Sequence, residues 1–172
     1  MEFLPTVLLT LEEPLGKIVG KELSNHGVNV RTDTKIESLK ETDKGLLVSG
    51  SNGYKNECGL VLVVVGAAPN TSLAKSAGIG TNEKGTIRTN LKMETNHPNI
   101  YAAGDCIETY HALLKQNIYL PLGTTAHKQG RIAGENMLGG NAKFQGSLGS
   151  QVIKIFDLVA GRTGLHDRDC QR

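Results

Sequence analysis

The run Leu60-Val61-Leu62-Val63-Val64-Val65-Gly66-Ala67-Ala68-Pro69-Asn70 decides how this chain is read. Its first six residues are apolar and mostly β-branched. That is the pattern of a strand buried on both faces at the centre of a sheet. Gly66 closes the run, and Pro69-Asn70 turn the chain. A glycine at the carboxyl end of such a strand offers bare backbone where α/β sheets bind ligands. On these residues alone the turn is either an ordinary strand exit or a surface for a planar ring or a ribose.

Upstream, Leu11, Leu15, Ile18, Val19 and Leu23 fall at helical spacing. Thr10 and Glu13 have the spacing of a capping box, and Gly27 is a natural stop, so a helix is expected from Leu11 to His26. Strands are expected at Val28–Arg31, Thr34–Leu39 and Gly45–Ser49, with turns at Asp43-Lys44-Gly45 and Ser51-Asn52-Gly53. Downstream, a short helix is expected at Thr71–Ala77 and short strands at Thr86–Arg88 and Ile100–Ala102. A second long helix is expected at Thr124–Leu138, and a strand at Gln151–Val159. In that helix Ala126, Gly130, Ala133 and Gly134 would admit a closely packed backbone. Each glycine costs about 1 kcal/mol of helix propensity, and close packing is the expected compensation.

Composition narrows the function. The chain has 172 residues, 19 Lys+Arg against 17 Asp+Glu, 38% hydrophobic residues, 21 Gly and no Trp. That suits one average domain or parts of two. A net charge of +2 gives no electrostatic reason to expect nucleic acid. No apolar stretch approaches the roughly 20 residues that cross a bilayer, and no secretory leader is seen, so no membrane partner is expected. Cys58, Cys106 and Cys170 form no CxxC and no metal spacing, which points to reduced thiols and a cytoplasmic setting. His26, His97, His111, His127 and His166 are too scattered to suggest a metal site. His111 is expected in a surface loop, and His127 with Lys128 on a solvated or packed face.

Two more motifs bear on chemistry. Thr95-Asn96-His97-Pro98-Asn99-Ile100-Tyr101-Ala102-Ala103-Gly104-Asp105 reads as a turn and a short strand that puts one carboxylate at a glycine-opened tip. Asp105 there either caps the next segment or accepts hydrogen bonds from a polyol. Leu120-Pro121-Leu122-Gly123-Thr124-Thr125-Ala126-His127-Lys128-Gln129-Gly130-Arg131 reads as a helix start. Thr124 or Thr125 is the expected cap, and the free amides with the helix dipole favour an electron-rich group. Cys106, beside Asp105, has no neighbouring base and reads as structural.

Together these motifs resemble the flavin-dependent pyridine nucleotide-disulfide oxidoreductases, in the branch of NADH oxidases, NADH peroxidases and coenzyme A-disulfide reductases. Thr95, Ala102, Gly104 and Asp105 match that family's second FAD signature, and Gly66, Pro69 and Asn70 match its strand-end turn. The Pro121–Arg131 run is similar to its flavin-facing helix start. The resemblance implies an α/β fold made of partial FAD/NAD(P)-binding Rossmann-like domains plus the start of an α+β dimerisation domain. Residues 1–66 would close the NAD(P)H-binding domain, 67–143 the FAD-binding domain, and 144–172 would open the dimerisation domain. It implies FAD and NAD(P)H as cofactors, a small-molecule electron acceptor (oxygen, peroxide or a disulfide), and a homodimer in the full-length protein. Both GxGxxG fingerprints and the redox cysteine would lie upstream of Met1, so no catalytic residue is transferred.

Among cofactor-binding positions, the resemblance gives Gly104 and Asp105 to the FAD ribityl chain, and the backbone of Leu122, Gly123 and Thr124 to the flavin pyrimidine edge. Gly66 would lie along the NAD(P)H route, and Glu2 would hold the adenine ribose. An acid at Glu2 repels a 2′-phosphate and so favours NADH. The competing expectation is a non-catalytic binding module that uses the same half-domains as an interaction surface.

Overall fold

The computed structural model describes residues 1–170, except for the side chains of Arg168 and Cys170. The expectation for Cys170 therefore lies outside the described residues. The described residues form two compact units: residues 1–65 with 152–162 and 166–170, and residues 66–151 with 163–165.

In the first unit, α1 spans Glu13–Asn25. It starts later than expected, because Glu12 rather than Thr10 is the N-cap and no side chain caps the helix. Pro14 in the first turn, where its missing N–H costs nothing, fixes the start instead. The helix stops as expected, with His26 at the C-cap and Gly27 in the left-handed region. Strands β1 (Ile36–Thr42), β2 (Gly45–Gly50) and β3 (Lys55–Cys58) form an antiparallel meander in that order. The turn at Asn52-Gly53 has both residues at positive φ, the requirement of a tight hairpin. Val28–Arg31 is not a strand. It is a segment without regular structure whose Arg31 carbonyl accepts the Glu2 amide.

The expected strand at Gln151–Val159 is instead a hairpin, β6 (Gln151–Ile155) and β7 (Leu158–Arg162). Phe156 takes a positive φ at its turn without a glycine, which period-two reading does not reveal. Leu11 and Val19 bury against Ala160 of β7, with Leu15, Leu23 and Ile155 around them. Burying a Leu or Val side chain contributes about 1.5–3 kcal/mol, so this cluster is what holds α1 to the hairpin.

The largest departure is Leu60–Val65. The run has no strand structure, and Val65 is 91% exposed. It lines a groove of 460 Å³ with Ile36, Leu39 and Val48. A central strand needs a hydrogen-bonded neighbour on each edge, and among the described residues no ladder reaches it.

The second unit is built around Ile87, Met93, Ile107, Ala133 and Phe144. Helix α2 (Ser72–Ser76) is followed by Gly78, again in the left-handed region. The expected strands at Thr86–Arg88 and Ile100–Ala102 are single bridges, Ile87 to Ile107 and Glu94 to Tyr101. Strands β4 (Thr109–His111) and β5 (Gln116–Ile118) form a small hairpin that the sequence reading did not anticipate. Helix α3 spans Gly123–Met137. The last helix, α4, is the short segment Asp167–Cys170 of the first unit. No described helix is long and apolar enough to cross a membrane.

Candidate functional site

The second unit gathers the most informative residues at the start of α3. Its N-cap is Leu122, in extended conformation, with no side-chain cap. This corrects the expectation that Thr124 or Thr125 caps the helix. Thr125 and Ala126 both donate their amides to the Leu122 carbonyl, at 2.9 Å. The Gly123 and Thr124 amides are therefore the uncapped donors at the positive end of the helix dipole. The Thr125 hydroxyl pairs with that of Ser147 at 3.2 Å and so does not cap the helix.

The inner face of α3 is unusually polar. Thr125, Gln129, Ala133 and Asn136 are its buried residues. Three-to-four-residue spacing puts them on one stripe. Asn136 ties the far end of the helix down, donating to the Lys92 and Ala142 carbonyls and accepting the Ala142 amide at 2.8–2.9 Å. Tyr101 donates its hydroxyl to the Asn136 carbonyl at 3.3 Å.

The Gly104-Asp105 turn lies against the first turns of the same helix. Gly104 has φ +89°, which glycine adopts without strain, and a Cβ built on it would touch Ala126 Cβ at 3.5 Å. The Gly104 amide donates to Gln129 Oε1 at 3.0 Å. Asp105 is exposed, and its carboxylate has no hydrogen-bond or ion-pair partner among the described residues. It does not cap a helix. It is a free acceptor on a turn fastened to the helix that carries the free amides.

Neighbouring Cys106 is half-buried and donates its thiol to the Ala103 carbonyl at 3.4 Å. Burial pushes this thiol above its ordinary range and the Asp105 charge raises it further, while a hydrogen bond from its own backbone amide lowers it. A protonated thiol is a poor nucleophile, in keeping with a structural role.

The other expected site residues stand apart from this group. Gly66 opens the second unit with φ +122° and nothing within 4 Å of where a Cβ would be, so its backbone face is open. Glu2 belongs to the first unit, where its carboxylate accepts the Leu4 amide at 3.1 Å and its backbone bonds Arg31 and Thr34. Gly130 and Gly134 also have nothing within 4 Å, so the expected close packing is not met among the described residues. His111 is buried rather than in a surface loop, and accepts the Leu114 amide on Nδ1 at 3.3 Å. His127 and Lys128 are exposed.

One histidine pairing was invisible in the sequence. The His26 ring stacks on Phe156 at 4.0 Å and stands 3.5 Å from Glu22 and 3.9 Å from Asp157. His26 and Asp157 are exposed and Glu22 is half-buried, and a ring flanked by two carboxylates needs no ion to be satisfied.

Sequence reading missed Gln129 and Asn136. The available signal was a polar residue recurring at the core-facing positions of an otherwise small-residue helix.

Relatives share this architecture. At 36% identity over 161 residues, the chain is similar to the NAD(P)H sulfur oxidoreductase (CoA-dependent) of Pyrococcus furiosus, covering 93% of this chain and 36% of that one. At 38% identity over 168 residues, it is similar to an NADH oxidase of Methanocaldococcus jannaschii, covering 96% and 37%. Among solved structures it overlays on an NAD-dependent persulfide reductase from A. fulgidus with a TM-score of 0.92 and 34% identity, over 99% of this chain and 32% of that one. The chain thus spans about a third of the length of these relatives. The family model described as pyridine nucleotide-disulphide oxidoreductase matches residues 1–130, and the chain belongs to that family.

Proposed function

We propose that this chain is part of an FAD-dependent oxidoreductase that takes hydride from NAD(P)H and passes electrons to oxygen, peroxide or a disulfide such as coenzyme A disulfide. The observation that carries the reading is the fastening of the Asp105 turn to α3, which puts an unpartnered carboxylate beside a helix start with free amides. The two features suit the two ends of the group implied: a polyol chain that donates hydrogen bonds and a ring edge that accepts them. When bound, FAD would supply the two-electron chemistry that the side chains of this chain lack.

The roles of the protein's own residues follow. The Asp105 carboxylate accepts from a ribityl hydroxyl, and Gly104 lets the turn approach without a side chain in the way. The backbone of Leu122, Gly123 and Thr124 donates to the pyrimidine edge, where the α3 dipole favours developing negative charge. Gly66 leaves a clear face along the nicotinamide route. Glu2 holds ribose hydroxyls and disfavours a 2′-phosphate, so NADH is the preferred donor. No catalytic side chain is assigned. Residues 1–66 are read as the end of the NAD(P)H-binding domain, 67–143 as the end of the FAD-binding domain, and 144–172 as the start of a dimerisation domain. The working form is read as a cytoplasmic homodimer.

The test is to purify the product of the full reading frame that encodes this chain and add NADH without oxygen. The expected result is visible flavin absorbance that NADH bleaches and that oxygen, peroxide or a disulfide restores. A folded product that takes up no flavin would end the proposal. The 172-residue chain alone is expected to retain FAD weakly, because it carries no phosphate-cradling glycine loop.

A further inference from the structure

We infer that Gln129 is a positioning residue for the flavin site, acting through the Gly104-Asp105 turn. The inference rests on the flavin reading of Asp105 given above. Gln129 is 1% exposed, and both ends of its amide are used. Its Oε1 accepts the Gly104 amide at 3.0 Å, and its Nε2 donates to Thr109 Oγ1 at 3.1 Å. Thr109 is itself buried, in β4. One side chain therefore joins three segments: the second turn of α3, the turn before Asp105, and the strand that follows it.

The geometry makes this more than core filling. An apolar residue of similar shape would satisfy the packing. Only an acceptor at this position meets the Gly104 N–H, which is the last backbone donor before the functional carboxylate. Within the turn the Gly104 carbonyl accepts the Ile107 amide at 3.1 Å, and the Gln129 bond to the Gly104 amide is what anchors that turn to α3. Ala126 stands where a side chain on Gly104 would meet it and Gln129 bonds the Gly104 amide, so the turn faces two successive turns of one helix. The same helix supplies the free amides at Gly123 and Thr124. Gln129 thereby sets how far apart the carboxylate and those amides stand, and that separation has to match the span from a ribityl hydroxyl to the flavin ring edge.

The test is a double-mutant cycle on FAD affinity in the full protein, using D105A, Q129M and the pair. Q129M keeps the side-chain volume and deletes the acceptor. Each single variant is expected to weaken FAD binding by about ten-fold or more. If Gln129 acts through Asp105, the pair binds FAD about as weakly as D105A alone. A merely structural glutamine gives losses that multiply, and that result overturns the inference, as does a Q129M protein that binds FAD like the wild type. Q129E keeps an acceptor for the Gly104 amide and is expected to bind FAD within about three-fold of the wild type. It carries the test if Q129M does not fold; a folded Q129E that binds as weakly as D105A also overturns the inference. If D105A binds FAD as the wild type does, the flavin reading of Asp105 fails, and this inference fails with it.

Discussion

Val65, in the most apolar run of the chain, is 91% exposed, whereas Gln129, a primary amide, is 1% exposed. The two regions reverse the ordinary relation between hydropathy and burial. Leu60–Val65 has the right side chains but, among the described residues, no strand on either edge. Gln129 and Asn136 have the wrong side chains for a core, yet each finds a partner for its polar atoms. Hydropathy sets what burial is worth, and the neighbours decide whether it happens. A buried amide left unpaired costs about 1–3 kcal/mol, while a fully paired one is close to neutral.

Six substitutions would break or sharpen that contrast. The largest effect is expected from Ile107→Ala, which empties the centre of the second unit. It should cost about 2–5 kcal/mol by denaturant unfolding. Val64→Asp, in the exposed run, should change stability by less than about 0.5 kcal/mol and reduce self-association in sedimentation. Equal losses from the two would show that the run is buried in solution.

Next comes Asn136→Leu, which deletes three side-chain hydrogen bonds to the Lys92 and Ala142 backbone while keeping the volume. About 2–3 kcal/mol of destabilisation is expected, read by thermal unfolding. A neutral result would mean that the polar stripe of α3 is incidental.

Leu122→Ser separates stability from function. A serine at the N-cap would accept a free amide and stabilise the chain by about 1 kcal/mol. The same substitution should weaken FAD binding in the full protein by isothermal titration, because it consumes a donor assigned to the ligand. A variant that gains both stability and affinity would remove the amides from the site.

The smallest effect concerns Cys106, whose thiol sits above its ordinary range through burial, with Asp105 adding to the shift. A folded-state value raised above the unfolded one gives stability that is complete below the unfolded value and lost as pH rises through the folded one. The unfolding midpoint should therefore fall above the ordinary thiol range, and Cys106→Ala should remove that part of the fall. Alkylation of Cys106 at neutral pH should be slower than for a free thiol, by mass spectrometry, and speed up in Asp105→Asn.

Much of the local structure was legible in residue type. Gly27, Asn52-Gly53 and Gly78 mark positive-φ stops that the structure contains, because only such residues enter that region cheaply. The Phe156 turn was not legible, since a bulky residue at φ +50° is stabilised by its surroundings rather than by its own preference. The Thr10 cap failed for the complementary reason: serine and threonine cap only where the incoming chain has the right direction, and here Pro14 sets the start.

By itself, the sequence determined the family, because the Thr95–Asp105 signature, the Gly66-Pro69-Asn70 turn and the Pro121–Arg131 run are short-range patterns carried by residue type. It also singled out Asp105 and the Leu122–Thr124 backbone as candidate cofactor contacts. Only the tertiary structure decided that the Asp105 turn is bonded to α3, that an apolar residue rather than a threonine stands at the helix cap, and that Gln129 is the link. Such pairings depend on which groups meet across 20 or more residues of chain, as Gln129 meets Gly104 and Thr109. Periodicity records which face of an element a residue occupies, but not what stands opposite it.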